Sequence, residues 1–166
     1  KRWFINRVWY CAHYRAYCYS LPHWSRGAHS SFISTGFKGS IYTTPASASL
    51  LPLVIEDALK VGVTRDQKII DTCLRLLKQQ IIEVDFKTWF DLPCKGEHTA
   101  KARLQRAGHI LGSAYVEIDI GTPPHKANNN HRVVFSGDLG APYTPLLPAP
   151  KAPYKADTLV IFKLLY

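Results

Sequence analysis

Between Pro45 and Leu77 the apolar residues recur at helical spacing, and from Ile81 onward they fall into short runs of period two. That change of period constrains the fold, because a helix buries one stripe while a strand alternates its faces. Pro45 suits the first turn of a helix with Leu50, Leu51, Leu53, Val54, Ala58 and Leu59 on its apolar side, and Gly62 ends it. A second helix is predicted from about Arg65, carrying Ile69, Ile70, Cys73, Leu74, Leu76 and Leu77. Strands are predicted at residues 40–44, 81–86, 100–106, 113–120, 132–135 and 158–161, with a turn-rich loop over 121–131. Short helices and strands in this mixture imply an α/β sandwich.

The chain has 166 residues, 46% of them hydrophobic and 20% charged, enough for one domain with its own core. No apolar run approaches the roughly 18 residues of a membrane span, and the N-terminus has no signal-peptide pattern. The expectation is a cytoplasmic protein with no membrane partner. Methionine is absent, even at position 1, so Lys1 is not read as a natural start and the chain is read as a fragment.

The net charge of +9 is unevenly spread. Lys1, Arg2, Arg7, Arg15, Arg26 and Lys38 precede the first acidic residue, Glu56. The same stretch holds Trp3, Phe4, Trp9, Tyr10, Tyr14, Tyr17, Tyr19, Trp24 and Phe32, without helical or strand periodicity. Cys11, Cys18, Cys73 and Cys94 lack paired spacing and read as free thiols.

Two stretches carry candidate chemistry: Ala107-Gly108-His109-Ile110-Leu111-Gly112-Ser113-Ala114 and Val133-Val134-Phe135-Ser136-Gly137-Asp138-Leu139-Gly140. Each sets one metal-competent side chain among glycines at the end of a strand-like run. Imidazole and carboxylate are standard zinc donors, and the glycines let the backbone turn tightly at a metal. Either residue alone is an ordinary loop or turn former. With their flanking octets, the pair points to metal ligation.

These octets, with Gly36-Phe37-Lys38-Gly39-Ser40-Ile41-Tyr42 before them and Pro145-Leu146-Leu147-Pro148 after, resemble successive landmarks of β-CASP nucleases of the metallo-β-lactamase fold. The resemblance covers roughly residues 35–161, and the His109 octet is its most specific part. It implies part of an αββα sandwich. It implies two zinc ions, with His109 and Asp138 as ligands and Asp138 bridging. It further implies hydrolysis of single-stranded RNA by a metal-activated hydroxide. No catalytic residue beyond the metal ligands is assigned.

The resemblance breaks at both ends. The family's His-x-His-x-Asp-His motif belongs just before Gly36, where Leu21-Pro22-His23-Trp24-Ser25-Arg26-Gly27-Ala28-His29-Ser30-Ser31 stands. Codons can be chosen for residues 19–31 that, read one base later, spell Thr-His-Ser-His-Ile-Gly-His, the motif with Gly for Asp. Residues 1–35 are therefore read as an aberrant, out-of-frame segment, 36–161 as a partial metallo-β-lactamase domain, and 162–166 as an aberrant end with the cap domain absent. Negligible nuclease activity is expected, because a catalytic zinc takes at least three protein donors. The alternative is a non-catalytic RNA-binding module built on the basic, aromatic N-terminal segment.

Overall fold

The computed structural model describes residues 39–94, 98–121, 130–143 and 145–161, and the chain divides into two compact units, Lys1–Glu83 and Val84–Tyr166. The segments 1–35 and 162–166 lie outside the described residues.

The first unit is a parallel strand pair joined through two helices. Strand β1 (Ile41–Thr43) pairs with β2 (Ile81–Glu83) in the register Ile41↔Ile81. Parallel strands need a long crossover, supplied by α1 (Pro45–Gly62) and α2 (Gln67–Gln80). The Thr44 side chain caps α1 by accepting from the Ser47 amide, with Pro45 next at the first helical position. Asp66 caps α2 by accepting from the Lys68 amide at 2.9 Å. Ala48, Leu51 and Leu59 of α1 are buried, as are Ile70, Cys73 and Leu77 of α2. Two clusters result: Ile41, Leu51 and Leu77 with Ile55 and Ile81, and Leu59, Ile70 and Cys73 with Ile55 and Leu74. Burial also raises the Cys73 thiol pKa above its ordinary value, which favours the neutral core form.

The predicted strand over 81–86 stops at Glu83. Phe86 and Lys87 form a turn instead, with Lys87 at φ 69° and the Thr88 amide donating to the Asp85 carbonyl. Alternation in 81–86 is equally compatible with a strand running into a turn.

The second unit is a five-stranded sheet in sequential order: β3 (Trp89–Leu92), β4 (Thr99–Arg106), β5 (Ala114–Gly121), β6 (His131–Phe135) and β7 (Thr158–Val160). All neighbours run antiparallel except β6 and β7, which are parallel. The fold is thus α/β with two helices and mixed sheets among the described residues.

Cross-strand register sorts the two faces of this sheet. On one face, Ala100, Ala102 and Leu104 of β4 oppose Ile120, Ile118 and Val116 of β5, which continue to Val133 and Phe135 of β6. On the other, Trp89 faces Arg103, Arg103 faces Glu117, and Asp119 faces Arg132. Glu117 is only 1% exposed and accepts from Arg103 Nε at 2.8 Å and from its Nη2. Arg132 grips both oxygens of Asp119 at 2.7 Å. Both guanidiniums also lie over the Trp89 ring, at 4.5 and 5.3 Å from its centroid. A slip of one residue would bury Arg103 among the alanines and expose Leu104.

Removing Arg103 would leave the Glu117 carboxylate buried and uncompensated. The Arg103→Ala variant is expected to lose about 3 kcal/mol of stability. Most of this should return in the Arg103→Leu/Glu117→Leu double variant, read by chemical denaturation.

Candidate functional site

Both candidate ligands sit on loops of the second unit, each at a strand end. His109 lies between β4 and β5, in a loop closed by the Ala107 amide donating to the Ser113 carbonyl at 3.1 Å. Gly108 and Gly112 take φ of 67° and 82° there, conformations that cost a side chain roughly 1–2 kcal/mol. The Ser113 hydroxyl organises the turn by accepting from the His109 and Ile110 amides, both at 3.1 Å. Sequence reasoning missed this role, although a Ser four residues after His109 has the spacing of a side-chain-to-backbone hydrogen bond.

Asp138 follows β6 through Ser136 and Gly137. The Ser136 amide donates to the Val160 carbonyl at 2.9 Å, extending the parallel β6–β7 ladder by one step. Asp138 thus emerges from the carboxyl ends of two parallel strands, the place where α/β sheets bind ligands. Gly137, at φ 54°, makes the turn.

The two loops are held together by backbone. The Gly140 amide donates to the Ala107 carbonyl at 2.8 Å. A Cβ placed on Gly140 would stand 1.8 Å from the Gly108 oxygen and 2.6 Å from the His109 nitrogen. Pro148 and Pro150 press on Gly108 as well, the Pro148 oxygen lying 2.7 Å from where a Gly108 Cβ would be. Tyr115 fixes this stretch by donating its phenol to the Lys151 carbonyl at 2.9 Å. Burial raises the Tyr115 pKa, helped by the nearby Glu117 charge and opposed by Arg103.

The fold therefore apposes the loops bearing His109 and Asp138, both half-buried. It does not complete a zinc site. Among the described residues no group of three or more His, Cys, Asp or Glu converges, and two donors do not hold a catalytic zinc. These residues do not fit the group by themselves, and no hydrolytic step is assigned to them. His131 at the start of β6 pairs through Nε2 with the Thr158 hydroxyl at 2.9 Å.

No family model matches the chain. It is 28% identical over 130 residues to ribonuclease TTHA0252 of Thermus thermophilus, covering 75% of this chain and 26% of that protein. It is also similar to transcription termination factor FttA from two archaea. The Cenarchaeum symbiosum protein is 29% identical over 117 residues, covering 67% of this chain and 17% of the relative. The Pyrococcus abyssi protein is 29% identical over 128 residues, covering 75% and 18%. One relative, then, is named as a ribonuclease. The chain spans about a quarter or less of the length of these relatives. No described helix is long and apolar enough to cross a membrane.

Two predictions follow from the geometry of these loops. Gly140→Ala should force the Asp138 loop off the His109 loop, lowering stability by about 1–3 kcal/mol and stripping exchange protection from the residue 140 amide. The second concerns the β6–β7 junction, where the Arg132 amide donates to Asp157 at 2.8 Å and Lys155 lies 3.2 Å away. Those contacts, the backbone hydrogen bond foremost, lower the Asp157 pKa below its ordinary 3.8. The carboxylate's contribution is complete above the unfolded-state value and is lost as pH falls through the lower folded value. Thermal midpoints below about pH 4 should therefore fall more steeply for the parent chain than for Asp157→Asn.

Proposed function

We propose that this chain is part of a metallo-β-lactamase-fold ribonuclease of the β-CASP type, acting on single-stranded RNA. In this reading His109 and Asp138 are two ligands of a zinc centre whose remaining donors come from outside the described residues. The observation that carries the reading is the Gly108–Gly140 contact. It apposes the two octets that the family resemblance singles out, each at a strand end. The similarity to a protein named as a ribonuclease supports the substrate class. An aspartate at the carboxyl ends of β6 and β7, next to an imidazole-bearing glycine loop, suits a metal centre better than a structural turn.

For the chain as it stands, the reading gives negligible nuclease activity, since only two donors are brought together among the described residues. The decisive experiment is a transplant. Residues 36–161 replace the matching segment of the Thermus thermophilus ribonuclease, and zinc-dependent cleavage of single-stranded RNA is measured. Cleavage by the chimera that falls by at least a hundredfold in His109→Ala and in Asp138→Ala is expected, in keeping with losses on disturbing metal-site residues. A chimera that cleaves equally well without either side chain would refute their role as ligands.

The unaltered 1–166 chain supplies a second check. Zinc-dependent cleavage of RNA by that chain, abolished by His109→Ala, would contradict its expected inactivity.

A further inference from the structure

The segment that leaves the Asp138 loop has features the metal-ligand reading does not use. It departs at Gly140 and returns at Pro148, and both of these feet rest on Gly108, next to His109. Between the feet, Tyr143 is 93% exposed and Leu146 92%. After the return, Tyr154 is 95% exposed. From Gly140 to Ala156 there is no acidic residue, and Lys151 contributes positive charge, whereas Lys155 is paired with Asp157 at 3.2 Å. Pro142, Pro145, Pro148, Pro150 and Pro153 stiffen the stretch.

We propose that this proline-rich strap is a contact surface for single-stranded nucleic acid, with Tyr143 and Tyr154 stacking on bases and Lys151 meeting the phosphate backbone. The proposal rests on the RNA reading above and extends it to residues outside the metal-ligand octets. Three arguments favour a nucleic acid. Exposed tyrosines offer flat π faces that stack on any base. An acid-free, lysine-bearing stretch complements a polyanion. A chain already stiffened by five prolines loses little further entropy when a ligand docks on it. Reach is right for Tyr143, which lies three residues from Gly140, so its Cα stands within about 11 Å of that foot. A strand running past His109 and Asp138 would meet it within a few nucleotides.

The test measures binding of the full 1–166 chain to a fluorescent oligouridylate and to an abasic ribose-phosphate strand of equal length. Tyr143→Ala and Tyr154→Ala should each weaken oligouridylate binding about fivefold or more, as loss of one stacked base requires. Tyr143→Phe and Tyr154→Phe should bind like the parent, and abasic-strand binding should be unchanged throughout. Because both tyrosines are solvent-exposed, unchanged unfolding midpoints will show that the variants remain folded. If the parent binds oligouridylate and both alanine variants bind equally well, the strap is not the contact, while the RNA reading stands. If the parent fails to bind oligouridylate, both the strap and the RNA reading fall. If the alanine variants instead dissociate a self-associated form in sedimentation and leave oligouridylate binding intact, the strap is a protein interface and the proposal is overturned.

Discussion

The candidate site depends on one backbone contact, the seating of Gly140 against Gly108 and His109. Its amide reaches the Ala107 carbonyl, and its missing Cβ leaves room for the Gly108 carbonyl. Any side chain at position 140 would collide with backbone, which cannot swing aside as a flexible side chain can. Glycine is thus required at 140 by packing, and at 108 by a left-handed φ as well. The contact joins the loop after β4 to the loop after β6. It is what turns two separate strand ends into a single location.

That contact forms only if the sheet beneath it has the right register. The β4–β5 hairpin sets where residues 107–113 emerge, and the Arg103–Glu117 pair sits in the middle of it. A buried charge pair adds little net stability over an apolar replacement, because desolvation offsets most of its Coulomb gain. Its contribution here is to register: a one-residue slip would face Glu117 with Ala102 or Leu104 instead of a cation. Arg132 and Asp119 play the same part between β5 and β6, and Trp89 stacks beneath both arginines. On the opposite face, small alanines of β4 pack against the branched side chains of β5. Polar specificity and apolar burial thus lie on opposite faces of the same strands.

Much of this was legible from residue patterns. The helix over Pro45–Gly62 begins and ends where its proline and glycine place it, and the four later strands match the expected runs to within a residue or two. Misses arose where local chemistry outweighed periodicity. Arg65 lies before the second helix because Asp66 takes the cap. Lys87 turns the chain where alternation suggested more strand. Trp89–Leu92 escaped notice because a four-residue edge strand between a turn and Pro93 has too few positions to show a period. The site itself was half legible. His109 and Asp138 stood out by type and flanking glycines, but the reason for those glycines, one backbone resting on another across 32 positions of sequence, is a tertiary fact. The hydroxyl of Ser113 likewise revealed its role only once the turn it closes was in view.

A register-locked sheet carries two apposed glycine loops, and a proline-rich strap leaves them. The most direct measurement of that apposition is a through-space NMR experiment on the isotopically labelled chain. The account predicts a strong cross-peak between the Gly140 amide proton and the Gly108 α-protons, consistent with the hydrogen bond to Ala107. Absence of that cross-peak in a folded chain with an intact β4–β5 ladder would mean the two loops do not meet, and His109 and Asp138 would no longer belong to one site.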